Sequence, residues 1–186
     1  MRVALFGGSF DPPHVSHVLA TVYLRSAGDF DRVLVVPVFR HAFDKSPVPF
    51  EHRVRMARIA LGWVPGVEVS PIEQQLPPPN YTLHTVEHIL AEHPDWSLHL
   101  VVGSDVLHET HRWHQFDRLV ELAPLYVLGR AGHPHPAAPA AVLPALSSSQ
   151  VRELLASRDD PAVWDELLRL VPRAVLEYLT LHGLYR

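Results

Sequence analysis

Short continuous apolar runs alternate along this chain with stretches in which apolar residues recur every three or four positions. The runs are residues 3–6, 33–36, 67–69, 98–102 and 125–128. Runs this short, and rich in valine and leucine, read as strands covered on both faces. Between them, Val15, Val18, Leu19 and Val22 have helical spacing, with Gly28 as the stop. Residues 51–63 place Val54, Ala57 and Leu61 on one side of a helix. Residues 81–92 turn Leu83, Val86 and Leu90 inward and are closed by Pro94, and residues 114–122 form a further helix. Residues 37–49 and 76–80 read as loops, the second with three consecutive prolines. The proline- and alanine-rich residues 133–144 are expected to be a loop or flexible connector. Three serines, Ser147, Ser148 and Ser149, then precede Val151, Leu154 and Leu155 in a helical pattern, and helical patterns continue through Val171 and Leu181.

Strand and helix alternate at least four times. This predicts an α/β fold, a Rossmann-like parallel sheet with helices on both faces, as a single domain over residues 1–186 that ends in helices. Ligands of such sheets sit at the carboxyl ends of the strands. Three segments fall there: the Gly7-Gly8 turn after Phe6, the loop after Val36 and the Gly103 turn after Val102.

Composition narrows the partners. A chain of 186 residues with 47% hydrophobic and 19% charged content has the make-up of a globular protein. The formal net charge of −4, with no basic run, argues against a nucleic-acid partner. Cysteine is absent, which excludes disulfides and thiolate metal sites and fits a reducing compartment. The N-terminal residues read as a strand leading straight into the glycine turn, so a signal peptide is not expected there, and no apolar run has the length of a membrane span. The expectation is therefore a cytoplasmic protein with no membrane contact, with a homo-oligomer left open. The 14 histidines are scattered, so they read as ordinary surface residues rather than as a metal store.

The chemistry concentrates in residues 5–17, Leu-Phe-Gly-Gly-Ser-Phe-Asp-Pro-Pro-His-Val-Ser-His. Gly7 and Gly8 allow a sharp turn and a close approach of ligand to backbone. Pro12 and Pro13 suit a loop ending or a first helical turn. A helix start offers N–H groups and a positive dipole end to phosphate. His14 and His17, three residues apart, share one helix face, from which two imidazoles can donate hydrogen bonds to phosphate oxygens. The serine run before a helix is a cap on the plain reading. On the functional one it supplies hydroxyls and N–H groups around a polyphosphate, with Arg152 as a charge-assisted donor.

Residues 8–17 resemble the nucleotidyltransferase signature Gly-x-Phe-Asp-Pro-x-His-x-Gly-His, with Ser16 where that family has glycine. Residues 146–152, Leu-Ser-Ser-Ser-Gln-Val-Arg, resemble the family motif Ile-Ser-Ser-Thr-x-Ile-Arg, which closes over the triphosphate. Gly103-Ser104-Asp105 followed by Arg112-Trp113, together with Tyr81-Thr82 and the ending Gly183-Leu184-Tyr185-Arg186, are similar to the bacterial nicotinate-nucleotide adenylyltransferases. The loop carrying Arg40, His41 and Lys45 departs from that family's Pro-Pro-His-Lys.

The resemblance implies the transfer of AMP from ATP to nicotinate mononucleotide, giving deamido-NAD and pyrophosphate. His14, His17 and Arg152 would be catalytic. Gly7, Gly8, Ser9, Phe10, Gly103, Asp105 and the three serines would bind ATP. Lys45, Tyr81, Thr82, Asp105, Arg112 and Trp113 would bind the mononucleotide, the indole stacking on its pyridine ring. Mg²⁺ would accompany ATP, bridging phosphates mostly through water, so no carboxylate cage is expected. The alternatives are a nicotinamide-mononucleotide adenylyltransferase, another nucleotidyltransferase of the superfamily, a nucleotide-binding regulator without turnover, and a histidine-rich metal binder.

Overall fold

Six parallel strands form the centre of the molecule, in the order β3-β2-β1-β4-β5-β6. They are β1 (Arg2–Gly8), β2 (Arg32–Pro37), β3 (Val67–Val69), β4 (Ser97–Gly103), β5 (Leu125–Arg130) and β6 (Ala141–Leu143) in this computed structural model, which describes residues 1–40 and 48–185. The helices are α1 (Val15–Ser26), α2 (Phe50–Leu61), α3 (Thr82–Glu92), α4 (Phe116–Leu122), α5 (Ser148–Leu155), α6 (Pro161–Leu170) and α7 (Arg173–Leu181).

Strand side chains alternate between two cores, as the period of two requires. Ala4, Val33, Val35 and Val101 pack with α1, α2 and α5–α7 on one face. Val3, Leu5, Leu34, Val36, Leu98, Leu100 and Val102 pack with α3 and α4 on the other. Helices on both faces explain why the strand segments are continuous apolar runs. Among the described residues no helix is long and apolar enough to cross a membrane.

The strand order positions the site. From β1 the chain builds outward through β2 and β3, then returns to the other side of β1 with β4. Connections after β1 and β4 therefore diverge, and a crevice opens at the carboxyl ends of those two strands.

Three local expectations need correction. Gly7 and Gly8 do not turn the chain: they continue β1 and pair with Val36 and Pro37. The turn falls beyond them, with Phe10 in the left-handed region at φ 49°. A β-carbon on Gly7 would meet nothing within 4 Å, whereas one on Gly8 would lie 3.2 Å from the Phe10 ring. So Gly7 leaves open space, and Gly8 makes room for Phe10. Residues 133–144 are not wholly loop, because β6 pairs in parallel with the end of β5. Finally, α4 starts at Phe116 rather than at residue 114, because Gln115 is left-handed at φ 47°. A 3₁₀ helix, Ser104–Arg112, fills the preceding segment.

Gly129 makes the β5–β6 pairing possible, since a β-carbon there would lie 2.4 Å from the Pro139 carbonyl oxygen and 2.5 Å from that of Ala140. Backbone cannot yield as a side-chain tip can, so Gly129→Ala is expected to lower Tm by roughly 3–10 °C, the range of an overpacked core. An unchanged melt would mean that β6 is not held against β5.

Candidate active site

A cleft of about 760 Å³ opens where β1 and β4 end, and the residues read from the sequence meet in it. Gly7, Gly8, Ser9, Phe10, His14, His17, Thr82, Gly103, Asp105, Trp113, Ser147, Ser148, Ser149 and Arg152 all line it. Tyr81 and Arg112 do not line it. The Tyr81 ring stacks on His114 at 4.3 Å, and Arg112 is exposed on the 3₁₀ helix. His41, Lys45 and Arg186 lie outside the described residues.

His14 is the N-cap of α1, and its backbone N–H donates to His17 Nδ1 at 3.1 Å. That bond sets the His17 tautomer. Nδ1 accepts, so a neutral ring carries its proton on Nε2 and can donate from there. The two rings lie 3.9 Å apart, with the Phe10 ring 5.0 Å from His17. Burial is the main reason that both imidazoles are held neutral. It brings His14 down to about 3, aided by Arg130, and holds His17 well below its usual value, aided by His14 and Arg130. Neutral rings at a helix start donate hydrogen bonds without adding a fixed charge.

The serine run serves both readings. Ser147 caps α5, accepting from the Gln150 N–H while Gln150 Oε1 accepts from the Ser147 N–H at 2.8 Å, a capping box. Ser148 Oγ donates to the Pro12 carbonyl at 3.0 Å, which joins the run to the signature loop. Arg152 Nη1 donates to the Asp11 carbonyl at 2.7 Å, and Nη2 donates to Ser149 Oγ at 3.1 Å.

Gly103 is needed by Asp105, because a β-carbon would lie 2.3 Å from its Oδ1. Asp105 pairs through Oδ2 with Arg130 Nη1, while Arg130 Nη2 donates to the Leu146 carbonyl. Ser104 Oγ accepts from the Arg130 backbone N–H at 3.0 Å and donates to the His133 carbonyl at 2.7 Å.

Arg130, at the end of β5, is a residue of the cleft wall that sequence reasoning missed, though a basic residue just past an apolar run at the ligand edge of the sheet is a usable signal. Asp11 and Tyr185 stand in the resembling motifs without a role read for them, and Arg53 was not singled out. Asp11 is buried and accepts from Tyr185 Oη at 2.6 Å. Arg53 is buried and reaches the carbonyls of Val48 and Ser9, each at 2.9 Å. Glu73, in the cleft wall, accepts from the Phe39 N–H at 2.9 Å, and burial raises its carboxyl pKa.

Three buried polar atoms of cleft residues have no hydrogen-bond partner among the described residues: His14 Nδ1, Ser16 Oγ and Arg130 Nε. Buried polar groups left unpaired are costly, so a polar ligand in this cleft is favoured. With two guanidinium groups and a helix start beside them, the arrangement suits an anion such as a polyphosphate. Among the described residues, no three His, Asp or Glu side chains converge as a metal cage.

A family model described as Cytidylyltransferase-like matches residues 5–154. A probable nicotinate-nucleotide adenylyltransferase of Anaeromyxobacter dehalogenans is 42% identical over 188 residues, covering 100% of this chain and 97% of that protein. One from Thermus thermophilus is 35% identical over 192 residues, covering 100% of both. Among solved structures, the Plasmodium falciparum nicotinic acid mononucleotide adenylyltransferase complexed with NaAD has the same fold. Its TM-score is 0.84 at 19% identity, over 99% of this chain and 97% of that one.

The neutral histidines make stability depend on pH. Unfolded, both imidazoles return to about 6.5 and take up protons that the folded chain refuses. Their contribution is complete above about pH 6.5 and is lost as pH falls from there toward the folded value of about 3 for His14. Tm is expected to fall between about pH 7.5 and about pH 5, with a shallower fall in His14→Asn. Melts at constant ionic strength check this, and parallel slopes for the two proteins would contradict it.

Proposed function

The chain belongs to the cytidylyltransferase-like family and matches nicotinate-nucleotide adenylyltransferases over its whole length, and on that footing we propose that it joins nicotinate mononucleotide and ATP to form deamido-NAD and pyrophosphate, a step of NAD biosynthesis. The observation that carries this reading is the meeting of His14, His17, Arg130, Arg152 and the serine run in one cleft at the strand-order reversal. The cytoplasmic location expected from the sequence belongs to the same reading.

The mononucleotide phosphate attacks the α-phosphorus of ATP in line. A new P–O bond forms, the bond to the bridging oxygen breaks, and pyrophosphate leaves with that electron pair. The nucleophile is already an anion, so no general base is needed, and catalysis consists of positioning and charge stabilisation. His17 donates from Nε2 to the α- or β-phosphate oxygens, with His14 beside it. Arg152 and the serine run hold the β- and γ-phosphates. A guanidinium has five N–H donors, so serving Asp11 and Ser149 still leaves Arg152 donors for phosphate. Arg130 adds a second cation facing the histidine pair. The open space over Gly7 lets the nucleotide approach the backbone. Asp11 and Asp105 face guanidinium groups, so the described residues do not form a protein-held metal site. Mg²⁺ is assigned to ATP itself, as part of the substrate.

On the mononucleotide side, the Trp113 ring offers a face for the pyridine, and Thr82 offers a hydroxyl and a helix start. Tyr81, stacked on His114, acts by setting the start of α3 rather than by touching the ring. The roles given to Lys45 and Arg112 rest on the sequence resemblance.

His17→Ala is expected to lower kcat about 10²–10³-fold, the cost of one preorganised donor, with ATP affinity much less changed. Pyrophosphate release and ATP titration check it, and turnover within about twofold of wild type would remove His17 from the chemistry.

Stacking reads the ring face alike for a pyridine acid or amide, so discrimination must come from donors at the ring edge. kcat/KM is expected to favour nicotinate over nicotinamide mononucleotide by at least about tenfold. Equal values or an amide preference would move the assignment to the nicotinamide reaction, and no turnover with either would leave a nucleotide-binding protein.

A further inference from the structure

We propose that Tyr185 is a positioning residue for the polyphosphate clamp, acting through Asp11 on Arg152. The inference rests on the reading that Arg152 holds ATP phosphates. Its basis is a hydrogen bond between residues 174 positions apart: Tyr185 Oη donates to Asp11 Oδ1 at 2.6 Å. Asp11 is buried, and its carbonyl is the acceptor that holds Arg152 Nη1 at 2.7 Å. The second carboxylate oxygen, Oδ2, stands 3.7 Å from the same Nη1, too far for a hydrogen bond but within electrostatic reach. Oδ1 also accepts from the Val48 N–H, at 3.4 Å. Tyr185 and Arg152 both line the cleft.

This geometry sets a balance. A buried carboxylate beside a guanidinium would close on it as a short ion pair if nothing else held it. Tyr185 holds Asp11 by Oδ1, so Arg152 is oriented by a neutral carbonyl and keeps donors for an anionic ligand. Burial and the Asp11 carboxylate both raise the phenol pKa, so the hydroxyl keeps its proton and remains a donor. The segment is built to deliver this one bond. Gly183 at φ 64° and Tyr185 at φ 58° are both left-handed, a conformation that costs a tyrosine energy, and the Leu184 carbonyl between them accepts from Arg158 Nη1 at 3.0 Å.

Tyr185→Phe keeps the ring and removes the hydroxyl. Asp11 then closes on Arg152 and draws it away from ATP. The experiment measures the Kd of ATP and of nicotinate mononucleotide for the full chain, in wild type, Tyr185→Phe, Arg152→Ala and the double variant. Tyr185→Phe is expected to weaken ATP about five- to thirtyfold, spanning the upper range of an ordinary hydrogen bond and the lower range of one to a charged group, and to leave the mononucleotide within about twofold. On the Arg152→Ala background the same change is expected to cost less than about twofold, because the residue through which Tyr185 acts is gone. An unchanged ATP Kd, an equal loss for both ligands, or the same loss with and without Arg152 would each overturn the proposal. Wild type that fails to bind ATP, or binds it equally well as Arg152→Ala, would remove the clamp and this inference with it. Wild type that binds ATP through Arg152 while Tyr185→Phe changes nothing would remove the inference alone.

Discussion

A cation with almost no access to water stands under the cleft. Arg53 is 1% exposed, and burying such a charge is costly unless its donors are matched. Here they end on the carbonyls of Val48, Ser9 and Phe39, and the group lies 5.4 Å from the Phe50 ring centroid. Burial pulls the Arg53 pKa down, while Asp11, Tyr185, Glu73 and Glu51 oppose the pull. Because the carbonyls belong to three segments, one side chain fixes the loop after β1, the exit of β2 and the entry to α2 relative to each other. The Phe39 backbone is held at both its groups, the N–H by Glu73 and the carbonyl by Arg53. The signature loop, and the histidines that follow it, are built on that arrangement.

Above this base the cleft is charged but compensated. Arg130 faces Asp105 and Arg152 faces Asp11, so neither cation stands alone in the absence of ligand. The neutral histidine pair supplies direction instead of charge. Such a site can be assembled before the substrate arrives, which is the condition for electrostatic preorganisation. The orphaned atoms on His14, Ser16 and Arg130 are the remaining cost of that preparation.

What could be read from the sequence was local. Residues 33–36 and 98–102 form strands because a run buried on both faces leaves an unambiguous apolar pattern. His14 with His17, and Ser149 with Arg152, stand three residues apart, so helix geometry brings each pair together. What could not be read depends on distant pairing. β6 is three residues long and exists through its contact with β5. The bond between Tyr185 and Asp11 leaves no trace in either residue's neighbourhood. Arg53 looks like any helix-surface arginine until the carbonyls that it serves are in place. The turn assigned to Gly7 and Gly8 was misplaced because Phe10 adopts the left-handed conformation more usual for glycine.

The sheet also acts as a partition. α1 and α5, which carry the histidines and Arg152, are anchored in the core on one face, while α3, α4 and the partly buried Trp113 are anchored in the other. The two halves of the cleft meet above the strand ends. Packing changes on one side therefore reach the groups assigned to one substrate while leaving those of the other on an undisturbed foundation. In evolutionary terms the pocket proposed for the acceptor can drift toward a new molecule, one core substitution at a time, without renegotiating the side of the cleft proposed to hold the polyphosphate.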